Sequence, residues 1–155
     1  MPQNPKLRPV AAPIYSIDTY RAEETLGFLM GRCVNKVIDG IDAALLELGI
    51  NAQQFGVLHA ILKGRARTPS ELARLRYQYS AAITYVLDVL EEKNLLIRKR
   101  SAQDRRVVEL ELTREGEALT RACIPLVVQA QNDTLTCLSQ TEYATLSRLL
   151  KRVAG

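Results

Sequence analysis

The chain has 155 residues, 47% apolar and 25% charged, with a net charge of +4. That suits an ordinary soluble domain with a core of its own, and excludes a disordered chain, a collagen-like repeat and a disulfide-stapled miniprotein. No apolar run approaches the roughly 18 residues of a membrane span, and the first residues lack the apolar stretch of a signal peptide. Three dispersed cysteines suit a reducing, cytoplasmic setting, and one histidine leaves no material for a histidine cluster.

In chain order, residues 1–20 hold four of the six prolines and no helical periodicity, which predicts an extended arm. From Glu23 the spacing of Leu26, Met30, Cys33, Val37, Ile41, Ala44 and Leu48 predicts a helix of about 25 residues, about 38 Å long, stopped by Gly49. That stripe is longer than a compact small domain needs, so part of it is expected to meet another subunit. Asn51 is placed to cap a second helix ending near Lys63. Thr68-Pro69-Ser70-Glu71 joins an N-cap, a proline at the first helical position and a glutamate three residues after the cap, and starts a short helix to about Leu75.

A further helix is predicted over Ser80 to Lys93, with Ile83, Val86, Leu87 and Leu90 inward and Ala81, Thr84, Tyr85 and Asp88 outward; Asn94 stops it. Leu95–Arg100 and Val107–Leu112 read as strands around the polar, basic loop 101–106. Thr113 opens a helix expected to run to about Leu138, with Pro125 predicting a kink or break. Ser139-Gln140-Thr141-Glu142 is a second capping box; it starts a helix whose expected inner face is Leu146, Leu149, Leu150 and Val153.

The charge is unevenly spread along these elements. Residues 63–106 hold eleven Lys/Arg against five Asp/Glu, a net of +6, whereas residues 1–62 and 107–155 each hold five against six. The basic segment coincides with a short helix, a turn, a second helix and a two-stranded hairpin with a basic tip. This is the order of a winged helix-turn-helix, whose second helix enters the major groove while the hairpin reaches the backbone or minor groove. The fold class expected is mainly α with a small two- or three-stranded β wing. A winged lobe over 51–113 would join a helical dimerisation region over 21–50 and 114–155.

Thr68-Pro69-Ser70-Glu71-Leu72-Ala73, then Leu87 through Leu96, then Asp104-Arg105-Arg106 leading to Leu112-Thr113-Arg114-Glu115-Gly116, together resemble the MarR family of bacterial transcriptional regulators. The resemblance spans about residues 23–153. It implies a cytoplasmic homodimer with interleaved terminal helices, two winged lobes on a palindromic double-stranded operator, and derepression when a small molecule, often an aromatic acid, or an oxidant alters lobe spacing. The composition itself leads us to expect no cofactor, metal or membrane partner. The chain departs from the family in having Tyr77 and Tyr79 where a glycine and a Ser or Thr cap usually precede the recognition helix, and Tyr85 where an arginine often stands.

The DNA-contact candidates are Thr68 and Ser70 at the short helix, and Tyr79, Ser80, Ala81, Thr84 and Tyr85 at the recognition helix. On the wing they are Arg100, Arg105 and Arg106, with Arg106 matched to the family's Asp-x-Arg and Asp104 expected to orient a basic side chain. Tyrosine hydroxyls suit phosphates and their rings suit thymine methyls, although Tyr77 and Tyr79 read equally well as packing residues. For a small aromatic or heteroaromatic acid the candidates are Arg32, Cys33, Phe55 and His59, with Arg32 suited to a carboxylate. A thiol sensor is an alternative, but Gly27 stands where peroxide-sensing relatives carry a reactive cysteine, and Cys33 and Cys123 fall on apolar faces. A helical protein-interaction adaptor is a third class. No phosphate loop, metal spacing or nucleophile–histidine pair points to an enzyme.

Overall fold

A computed structural model describes residues 12–76, 80–101, 104 and 106–155. The chain falls into two units, residues 1–34 and 35–155. Much of the arm, as well as Tyr77, Tyr79 and Arg105, lies outside the described residues.

In the first unit, residues 12–20 are exposed and turn once through Ser16–Thr19, where the Thr19 N–H reaches the Ser16 carbonyl at 3.2 Å. After a 3-10 turn, Ala22–Glu24, helix α1 begins at Leu26, whose N–H donates to the Tyr15 hydroxyl at 2.9 Å. The expected long first helix is thus split: α1 is Leu26–Leu45, and Leu46–Leu48 tightens into a 3-10 turn ended by Gly49 at φ 70°. Its stripe is also divided. Ile41 and Leu45 are buried and Val37 and Ala44 half-buried, whereas Leu26, Phe28, Met30, Cys33 and Val34 are exposed.

The second unit holds the core. Asn51 and Gln54 form a reciprocal capping box on α2 (Ala52–Leu62), which buries Phe55, Val57, Leu58 and Ala60. Helix α3 (Pro69–Arg76) contributes Leu72 to the same core, and α4 (Ser80–Glu92) contributes Ile83, Val86, Leu87 and Leu90, each at most 3% exposed. Asn94, at φ 56°, takes the left-handed conformation that ends α4, a position asparagine tolerates better than most residues.

Strands β1 (Leu96–Arg100) and β2 (Val108–Leu112) pair antiparallel from Leu96 opposite Leu112 to Arg100 opposite Val108. Each is one residue shorter at its N-terminus than the alternation predicts. Of the three apolar residues expected on one face of β2, Leu110 is buried and Leu112 half-buried, but Val108 is exposed. At Val108 the hairpin has run past the core. On its other edge, the Leu110 N–H donates to the Arg67 carbonyl at 2.8 Å, tying the lead-in to α3 onto the wing.

Helix α5 is Arg114–Thr134, shorter than expected, because the Thr134 and Thr136 hydroxyls turn back onto the Ala130 and Asp133 carbonyls and compete with propagation. The break expected at Pro125 is not there. The carbonyl one turn earlier that loses its N–H belongs to Arg121, an exposed residue whose backbone water can serve. Helix α6 (Gln140–Ala154) starts on the Ser139–Glu142 capping box. Its expected inner face is not inward in this chain: Leu146, Leu149 and Val153 are exposed and Leu150 only half-buried.

The joint between wing and α5 is closely packed. Thr113 caps α5 by accepting from the Gly116 N–H at 2.9 Å, and its hydroxyl donates to the Asn94 carbonyl at 2.7 Å. A Cβ on Gly116 would fall 1.8 Å from the Leu95 carbonyl oxygen, so backbone must touch backbone here. Gly116→Ala is expected to cost about 2 kcal/mol of stability, read as a lower urea midpoint at unchanged slope; a variant as stable as the parent would refute this close approach.

Candidate nucleic-acid interface

The buried ridge of α4 settles which of its residues meet solvent. Ala81, Thr84, Tyr85 and Asp88 are all exposed, Tyr85 at 71%, as the helical spacing predicts. A helix seated this way offers a methyl, a hydroxyl and a phenol on a face with no large aliphatic side chain.

The start of α3 borders the same basic segment. The Thr68 hydroxyl accepts from the Glu71 N–H at 3.3 Å and lies 3.2 Å from the Ser70 hydroxyl. The Glu71 carboxylate accepts from the Arg67 N–H at 2.7 Å and the Thr68 N–H at 3.2 Å. Thr68 is therefore committed to the cap and half-buried, while Ser70 is exposed.

The wing turn is held by Asp104. Its carboxylate accepts from the Arg106 backbone N–H at 2.9 Å, and its carbonyl accepts from the Val107 N–H at 2.9 Å. Asp104 thus shapes the backbone of the wing turn. The Ser101 N–H closes the loop on the Val107 carbonyl at 2.9 Å, and Ser101 is buried. Arg100 and Arg106 are exposed.

Sequence reasoning missed Arg98. It shares the Leu96 face of β1 and reaches α4, with one guanidinium nitrogen 2.7 Å from Asp88 and another 2.6 Å from Glu91. The spacing of Asp88 and Glu91, three residues apart on a helix, was the available signal; their partner on a different element was not. Lys99 pairs across the hairpin with Glu111.

Of the four ligand candidates, Phe55 and His59 lie together on α2. Phe55 and His59 stack, with ring centroids 5.3 Å apart and planes at 22°. They nevertheless border different cavities. Phe55 lines one of about 510 Å³ with Ile38, Ile41, Asp42 and Val127, while His59 lines one of about 330 Å³ with Gly56, Ala60, Arg65 and Leu75. Arg32 and Cys33 are exposed on the first half of α1, and Arg65 lines the His59 cavity. Burial, then the charges of Lys63 and Arg65, hold the His59 pKa below its ordinary value, so the ring is neutral near pH 7. Cys33, on the apolar stripe of α1 as expected, is exposed, as is Cys137; burial pushes the Cys123 thiol pKa up, away from reactivity. Among the described residues no group of three or more metal-ligating side chains forms, and no helix is long and apolar enough to cross a membrane.

Residues 48–107 match the profile of the MarR family. The chain is 30% identical to the HTH-type transcriptional regulator MhqR of Bacillus subtilis over 83% of its own length and 88% of that protein. It is 36% identical to the multiple antibiotic resistance protein MarR of Escherichia coli, over 80% of this chain and 90% of that protein. A crystal structure of mutant E. coli MarR complexed with operator DNA superposes with a TM-score of 0.78 at 34% identity, covering 84% of this chain and 94% of that one. A Mycobacterium tuberculosis MarR family protein in complex with p-aminosalicylic acid gives 0.68 at 25% identity, covering 84% and 99%.

The backbone N–H groups of Arg67 and Thr68, helped by the Arg74 and Arg67 charges, hold the Glu71 pKa below the ordinary carboxylate range. A depressed folded-state pKa means that the cap stabilises fully above that range and is lost as pH falls through the lowered value. Glu71→Gln should cost about 0.5 kcal/mol at neutral pH, with the gap to the parent closing on acidification in denaturant titrations. A gap that does not vary with pH would refute this assignment.

Proposed function

The chain belongs to the MarR family of transcriptional regulators, and from that premise we propose that it is a cytoplasmic homodimeric repressor of a palindromic operator, released by a small aromatic or heteroaromatic acid. The observation that carries the DNA half of this reading is the exposed Ala81–Thr84–Tyr85 face of α4, set by a fully buried opposite face within the segment of +6. In this reading α4 lies in the major groove, with Ala81 and the Tyr85 ring on thymine methyls and Thr84 on base edges. Ser70 at the start of α3, and Tyr79 and Ser80 at the approach to α4, serve phosphates, Thr68 fixes the start of α3 through its cap, and Arg100, Arg105 and Arg106 serve the wing, Arg106 in the minor groove.

The dimer half is supported by exposed apolar side chains among the described residues: Phe28, Leu29, Met30 and Val34 on α1 and Leu146, Leu149 and Val153 on α6, 42–66% exposed. Side chains of this size left open on two helices mark a protein interface. The terminal helical segments, 21–50 and 114–155, are its proposed dimerisation region, and 51–113 its DNA-binding lobe.

For the ligand, the cavity of His59 and Arg65 suits a planar acid, the ring against imidazole and the carboxylate on Arg65. The p-aminosalicylic acid complex of the mycobacterial relative supports the ligand class.

Three outcomes test the reading. Arg106→Ala should weaken operator binding and flatten the salt dependence by about one unit of log K per log salt; an unchanged slope removes Arg106 from the DNA. Leu146→Asp with Leu149→Asp should shift sedimentation from dimer to monomer, and an unaltered dimer would place the interface elsewhere. Arg65→Ala should leave operator binding in place while abolishing its release by p-aminosalicylic acid; continued release would move the ligand out of this cavity.

A further inference from the structure

Asp88 stands one helical turn beyond Thr84 on the exposed face of α4, and a carboxylate there would be repelled by a phosphate backbone. Arg98 answers it from β1. Its guanidinium holds Asp88 at 2.7 Å and Glu91 at 2.6 Å, with a long 3.5 Å contact to the Thr84 carbonyl. The Arg98 side chain is 26% exposed against 51% and 40% for its two acids, so the cation lies beneath the carboxylates that it holds. Stability is a weak reason for such a cluster, since exposed ion pairs contribute at most about 1 kcal/mol each, and two acids otherwise reduce the charge of the most basic part of the chain.

We propose that Arg98 is a positioning residue for DNA binding: it offsets one of the two negative charges of Asp88 and Glu91, draws both carboxylates onto itself and pins β1 to α4, so that the recognition helix and wing repel DNA less, while Arg98 itself touches no DNA. The planar fork is suited to this because it meets two acids at once, which a lysine ammonium on one flexible stem does less well. The inference rests on the reading of α4 as the DNA-facing helix.

The test is a charge cycle read by DNA titration at low and moderate salt, with circular dichroism confirming each fold. R98A exposes two carboxylates and should lower affinity about fivefold or more at low salt, the loss shrinking as salt screens it. R98K should fall between R98A and the parent. R98A combined with D88N and E91Q should return to at least the parent's affinity, because the acids no longer need an answer. R98A combined with D39N and E47Q, which removes the same charge from exposed sites on α1 and the turn after it, should not. A triple variant at Asp88 and Glu91 as weak as R98A would show that Arg98 contacts DNA directly and overturn the proposal, as would equal restoration by the D39N and E47Q control. Failure of the parent chain to bind DNA would instead overturn the reading of α4, and the proposal with it.

Discussion

The seating of Ile83, Val86, Leu87 and Leu90 in the core is the constraint on which the rest depends. Four side chains at helical spacing, each almost wholly buried, leave α4 no freedom to rotate about its axis. A turn of about 100° would expose leucines and isoleucine at about 1.5–3 kcal/mol apiece and bury Thr84 and Asp88 without partners. The outward face is therefore specified by hydrophobic burial, not by any contact that it makes. Its chemistry can vary between regulators, here towards tyrosine, without disturbing the fold.

That fixed helix is useful only if the wing is fixed to it. Two joints do this, one at the base of the hairpin and one midway along it. Near the base, Asn94 in its left-handed conformation, the Thr113 hydroxyl and the bare backbone of Gly116 bring the start of α5 against the Leu95 carbonyl. Further out, Arg98 ties β1 to the exposed edge of α4. A third tie, from Leu110 to the Arg67 carbonyl, holds the lead-in to α3 on the other edge of the hairpin. Within the winged lobe, the elements that would meet DNA are thus linked by backbone contacts and ion pairs as well as by the shared apolar core.

Local signals were legible in the sequence wherever a single element carried them. The capping residues Asn51, Thr113 and Ser139 start helices as their side chains predict, and the period of α4 sorted its buried from its exposed residues correctly. What escaped were properties set by partners distant in sequence. The Arg98 cluster joins residues seven and ten positions apart on different elements, and the opening of Phe55 and His59 onto different cavities depends on the packing around α2 rather than on spacing. Helix ends were misjudged for a local reason: threonine hydroxyls at 134 and 136 ended α5 before its apolar pattern did. The apolar face of α6 was read correctly as a stripe and wrongly as inward, because periodicity reports that a face wants burial and not which chain supplies it.

The basic winged lobe is proposed to read duplex DNA through the outward face of α4. Selection of bound fragments from genomic DNA by the purified chain, repeated at two salt concentrations, tests it most directly. The fragments are expected to share an inverted repeat, with half-sites about one helical turn apart and affinity falling steeply with salt. Recovered fragments with no common sequence, or binding indifferent to salt, would contradict it.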